Sequence, residues 1–184
     1  MSKDYSICVY CGSRDGKNPA YAEAADAMGQ AIAKERWRLV YGAGDVGLMG
    51  RVARAVQRAG GPTFGVIPRH LMDREVGKKD LTTLVITETM HERKKIMFDN
   101  ADAVVVLPGG AGSLDEFFEV LTWRQLGLHT KPIILLNTEG YWEKLMSLMN
   151  HIIDEDFASV SVLERLQVCD TVDGVVAALR TARS

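Results

Sequence analysis

The stretch VVVLPGGAGSLDEFFEVL (104–121) decides how the rest of the chain is read. Val104 to Leu107 form an aliphatic run with the composition of a buried strand. The run stops at Pro108 and the glycine turn that follows. A helical period then begins, with Leu114, Phe117, Phe118 and Leu121 as its apolar stripe. Strand, glycine turn and helix together mark a βα unit. A turn of that kind also lets backbone N–H groups approach an anion closely, with the helix N-terminus adding partial positive charge.

The same alternation runs along the whole chain. Strands are expected at 5–11, 37–42, 63–68, 83–87, 103–109 and 132–137, and helices at roughly 19–35, 47–59, 90–101, 114–127, 140–154 and 172–182. The strands are nearly continuous in apolar residues, the pattern of strands covered on both faces. Strand then helix, repeated, implies right-handed crossovers and an α/β fold: a Rossmann-like, doubly wound parallel sheet. The chain of 184 residues reads as a single domain, 1–184. One long polar connection, HLMDREVGKKDLT (70–82), follows a strand end, where loops often border a site.

Charge narrows the partners. Lys and Arg number 22 against 24 Asp and Glu, a formal charge of −2, so there is no electrostatic footprint for nucleic acid and no basic run for an anionic membrane surface. No apolar segment approaches the ~20 residues of a membrane span. The start, MSKDYSICVYC, reads as a first strand rather than a signal peptide, and a cytoplasmic protein is expected. Cys8, Cys11 and Cys169 lack metal-type spacing and read as reduced residues of a cytosolic protein. His91, His129 and His151 are isolated, which suits surface or capping roles.

Three strand ends carry glycine-rich turns: CGSRDG (11–16), YGAGDVGLMG (41–50) and LPGGAGSLDE (107–116). In an open parallel sheet such turns share the edge where ligands bind. None is a Walker loop, because no Lys follows the last glycine. GAGDVG (42–47) fits the G-x-G-x-x-G pattern of dinucleotide sites, but it follows the second strand, and TFGVIPR (63–69) lacks the acid that would hold a ribose diol. In the third turn Ser113 suits an N-cap, and Asp115 suits the first helical turn through the helix dipole. Glu116 lies off the apolar stripe, near where an anion would sit. A carboxylate there needs a cation beside it, and the helix bearing Arg93, Lys94 and Lys95 runs directly into this strand. The fork of Arg93 can contact a phosphate, a ribose oxygen or Glu116 itself.

At these residues the sequence resembles the LOG ("Lonely Guy") family of cytokinin riboside 5′-monophosphate phosphoribohydrolases, also described as lysine decarboxylase-like. PGGAGSLDE (108–116) matches its P-G-G-x-G-T-x-x-E signature, and MHERK (90–94) its M-H-x-R-K element. The resemblance extends through CGSRDGKNPAY, VYGAGDVGLMG and VIPRHLMDREV, covering the chain to about residue 155. It implies a homodimer that cleaves the N-glycosidic bond of AMP or N6-substituted AMP, a small-molecule nucleotide substrate, releasing free base and ribose 5-phosphate. It places the catalytic pair on Arg93 and Glu116. Substrate contacts fall on Glu75, Lys94, Gly12, Ser13, Gly44 and the loop Gly109, Gly110, Ala111, Gly112 and Ser113. Three positions depart from the family pattern: Ser113 stands for a usual Thr, Arg14 for a small hydroxyl residue, and Ala43 for a glycine.

The implied chemistry agrees with the residues. Glycosidic cleavage passes through an oxocarbenium-like state, so a carboxylate near the sugar can stabilise charge, orient water or act as general base. No metal is expected, since no ligand set with the right spacing occurs. No cofactor is expected either: decarboxylase chemistry would need a Schiff-base Lys with a pyridine-nitrogen partner, and no motif supplies them. Two rivals share the glycine turns: a broader nucleoside monophosphate glycosidase, and a noncatalytic carrier of a nucleotide or cofactor.

Overall fold

The computed structural model describes residues 5–72, 77–78 and 80–183. Its sheet has seven strands: β1 (Ser6–Tyr10), β2 (Arg38–Tyr41), β3 (Thr63–Pro68), β4 (Thr83–Thr87), β5 (Ala103–Val106), β6 (Ile133–Leu136) and β7 (Gln167–Cys169). Every pairing is parallel, in the order β4-β3-β2-β1-β5-β6-β7. The expected doubly wound α/β sheet is what the chain forms. The winding reverses between β1 and β5, and the crevice at that point is where such sheets hold ligands.

The period of two along each strand explains the continuous apolar runs. On β1, Ile7 and Val9 face one core while Cys8 and Tyr10 face the other; on β5, Ala103 and Val105 alternate in the same way with Val104 and Val106. The first core is closed by α1 (Pro19–Lys34), α2 (Gly47–Arg58) and α6 (Val172–Arg183). The second is closed by α3 (Met90–Asp99), α4 (Ala111–Gln125) and α5 (Glu143–Asp154). Each fully buried aliphatic side chain contributes roughly 1.5–3 kcal/mol. The two layers thus clamp β1 and β5, the strands from which the cleft loops emerge.

Several boundaries differ from expectation. β7 follows a 3-10 turn, Val160–Arg165; with Gln167 and Val168 exposed, this edge strand has too little apolar signal to be read from sequence. β4 is the other edge, so Ile86 is 46% exposed rather than covered on both faces. The helix expected from 140 starts at Glu143, after a 3-10 turn, Thr138–Gly140, in which Glu139 and Gly140 have φ of 54° and 68°. α4 begins at Ala111, three residues before the expected 114. Its N-cap is therefore Gly110 and not Ser113, and Asp115 and Glu116 fall in the second helical turn rather than the first. Among the described residues, no helix is long and apolar enough to cross a membrane.

Candidate active site

A cleft of about 510 Å³ opens at the reversal point. Its two walls are the loop after β1, including Gly12 and Ser13, and the turn after β5, from Pro108 to Ser113. They are stitched together: the Gly12 N–H donates to the Pro108 carbonyl at 3.0 Å. Met49 at the start of α2 ties in as well, its N–H reaching the Gly12 carbonyl at 3.3 Å. Gly109 must be glycine, because a Cβ there would lie 2.1 Å from Ser113 Oγ.

α4 starts without a side-chain cap. Its first-turn N–H groups, from Ala111 to Ser113, therefore face the cleft mouth with the positive end of the helix dipole behind them. One turn further along, Glu116 also lines the cleft. Its charge reaches the end of β1. Burial pushes the Cys11 thiol far up from its ordinary range, and Glu116 adds to that effect; Cys8 is raised by the same two causes in the same order. All three cysteines are free, and Cys8 and Cys11 are buried.

Arg93 reaches the cleft from the opposite side. Thr89 and Glu92 start α3 with a reciprocal capping box: Thr89 Oγ1 accepts from the Glu92 N–H at 3.2 Å, and Glu92 Oε2 accepts from the Thr89 N–H at 3.2 Å. That fixed start sends Arg93 inward, where it is 4% exposed. Its Nε donates to the Val66 carbonyl at 3.2 Å and its Nη2 to the Gly42 carbonyl at 2.7 Å. These carbonyls lie within β3 and just past the end of β2, so the guanidinium braces two neighbouring strands while lining the same cleft as Glu116.

Other sequence-predicted residues fall elsewhere. Lys94 does not line the cleft: its ammonium pairs with Asp115 at 3.0 Å and Glu119 at 3.2 Å. Burial opposes the charge on Lys94, but the hydrogen bonds to Asp115 and Glu119 outweigh it and raise the pKa. Asp115 thus serves to dock α3 on α4. Gly44 also lies outside the lining, forming an antiparallel bridge with Gly77, and the Ala43 carbonyl accepts from the Lys78 N–H at 2.9 Å. Ala43 itself has φ 58°, a left-handed conformation that a glycine would adopt with less strain. Glu75 lies outside the described residues.

Tyr21 and Tyr141 line the cleft and were missed by sequence reasoning. Their rings meet edge-on at 5.3 Å, and the Tyr141 hydroxyl donates to the Gly109 carbonyl at 2.6 Å. The available signal was positional: GYWEKL (140–145) follows the end of β6, on the ligand-binding edge.

Fold and cleft define a doubly wound α/β protein whose switch-point site combines a helix N-terminus, a carboxylate and a guanidinium. The chain is 43% identical over 177 residues to a cytokinin riboside 5′-monophosphate phosphoribohydrolase of Rhodococcoides fascians, covering 96% of this chain and 89% of that one. It belongs to the LOG family. The Arabidopsis thaliana phosphoribohydrolase LOG7 is 47% identical over 153 residues (83% of this chain, 70% of that one). A Mycobacterium tuberculosis relative of the same name is 42% identical over 175 residues (94% and 91%). A family model described as "Possible lysine decarboxylase" matches residues 49–179. Among solved structures, the molybdenum cofactor binding protein of Rippkaea orientalis superposes with a TM-score of 0.76 at 20% identity, covering 100% of both chains. The Moco carrier protein of Chlamydomonas reinhardtii gives 0.73 at 22%, with 97% of each chain covered. At that identity these two show the shared fold.

Proposed function

We propose that this chain hydrolyses the N-glycosidic bond of adenosine 5′-monophosphates, with N6-substituted (cytokinin-type) nucleotides as its substrate class. The relatives' names support the reaction, and one observation carries the site: Glu116, Arg93 and the uncapped start of α4 line a single cleft. The phosphoryl group sits at the α4 amides, where partial positive charge and free N–H donors meet it. The sugar then lies one helical turn along, beside Glu116. As the bond between C1′ and the base nitrogen breaks, the electron pair leaves with the base, and positive charge grows on C1′ and the ring oxygen. The carboxylate stabilises that charge and orients the water that adds to C1′. Proton transfer to the base completes its release, leaving ribose 5-phosphate.

Arg93, held by the Val66 and Gly42 carbonyls, supplies the positive charge of the cleft that Glu116 also lines. Lys94 contributes through Asp115 and Glu119, and Glu75 takes the substrate contact that family resemblance implies. The working form in this reading is a cytoplasmic homodimer, checked by sedimentation of the purified protein.

Incubation with a panel of nucleoside monophosphates, with free base as the readout, tests the reaction. Wild-type protein releases base from AMP or an N6-substituted AMP, and absence of release from every nucleotide sinks the reading. Glu116→Gln lowers kcat by at least about 100-fold while nucleotide binding persists. A noncatalytic carrier of a nucleotide or cofactor shows no turnover in either form.

A further inference from the structure

The charged side chains of the cleft wall are unequally occupied. Asp15 pairs with Arg51 at 3.0 Å and Asp115 with Lys94 at 3.0 Å, so both acids are neutralised from outside the cleft. Arg93 is buried and donates to two backbone carbonyls. Arg14 differs from all of these. It is exposed, lines the cleft, and among the described residues makes neither an ion pair nor a hydrogen bond through its side chain. Asp15, its neighbour along the chain, is paired with Arg51.

The root of Arg14 is nevertheless fixed. The start of α2 packs so closely on it that a Cβ at Gly47 would lie 2.2 Å from the Arg14 backbone nitrogen. The loop is also joined to the β5 turn through Gly12 and Pro108. A rigidly mounted backbone therefore presents a solvated guanidinium at the mouth of a cleft in which Asp15 and Asp115 are already paired.

We propose that Arg14, rather than Arg93, meets the phosphate charge of the substrate and sets the preference for a nucleotide over the matching nucleoside. This rests on the glycosidase reading above and adds to it a division of labour between the two arginines. A phosphate monoester carries a charge of about −1.5 to −2 at neutral pH, and a planar guanidinium can contact two of its oxygens at once. The most hydrated part of the substrate is then met at the mouth. Arg93, donating to two backbone carbonyls, remains buried in the cleft that Glu116 also lines.

The test compares AMP with adenosine in wild type, Arg14→Ala and Arg14→Lys, with folding checked by thermal melting. In Arg14→Ala the kcat/KM ratio of AMP to adenosine falls by about 10- to 100-fold, the range of a lost charged hydrogen bond. Inhibition by ribose 5-phosphate weakens in parallel. Arg14→Lys is intermediate, because it keeps the charge and loses the fork. Added salt erodes the wild-type preference more than that of Arg14→Ala. An unchanged ratio, or an equal loss on both substrates, overturns the proposal while leaving the glycosidase reading intact. If wild type releases no base from any nucleotide, the glycosidase reading fails instead. The affinities of AMP and adenosine for wild type and Arg14→Ala, measured by calorimetry, then decide the role of Arg14 separately.

Discussion

Gly42 has no side chain where Arg93 needs room: a Cβ there would lie 2.1 Å from the Arg93 guanidinium. Gly42→Ala therefore pushes Nη2 off the Gly42 carbonyl and moves the cation that lines the cleft. Displacement of a positioning group by an ångström costs about 100-fold in rate, and a loss of that order in kcat is expected with the fold retained by circular dichroism. At this scale the sequence pointed to Arg93 and Glu116 through residue type and spacing, and both line one cleft. It gave no sign of the pairing of Lys94, since nothing in the order of residues says that Asp115 and Glu119 will meet its ammonium. Tyr141 escaped for a related reason. Its hydroxyl acts on a carbonyl in a turn that is distant along the chain, a contact that only the sheet order creates.

Among the elements, α3 and α4 carry the site, and their starts are built differently. α3 has a full capping box, so Thr89→Ala removes one side-chain acceptor and destabilises the protein by about 1 kcal/mol, read from the urea midpoint. Because Arg93 sits just past the first turn of that helix, activity falls further than the stability loss alone requires. α4 has no cap, and its open amides are the feature that suits an anion. Helical and strand periods were legible for nearly every element, whereas boundaries were not. Period alone placed the start of α4 at Leu114, since Ala111, Gly112 and Ser113 lack apolar weight; backbone geometry starts it at Ala111. β7 stayed hidden because three residues at a half-exposed edge show too little periodicity.

For the molecule as a whole, His129 ties α4 to the segment that enters β6. Its Nε2 meets the Val120 carbonyl at 2.8 Å, so that nitrogen carries the proton, while Nδ1 accepts from the Lys131 N–H at 3.1 Å. The arrangement requires the neutral ring. Burial lowers the His129 pKa, and the charges of Arg124 and Lys131 lower it further against the opposing pull of the Val120 carbonyl. Its stabilising contribution is therefore fully present above the ordinary histidine value of about 6.5. It is lost as pH falls from there through the lowered folded value. Urea midpoints measured from pH 8 to pH 5 should fall below about 6.5, and His129→Gln should lack that part of the slope.

The hydrogen bond from Gly12 to Pro108 has one more implication. The two loops that it joins come from strands adjacent in the sheet but distant along the chain. A nascent polypeptide leaving the ribosome therefore owns no substrate pocket, even after its first two βα units have emerged. Only when the strand before Pro108 docks against the first one do both rims meet, so substrate can reward only conformers in which that late docking has occurred.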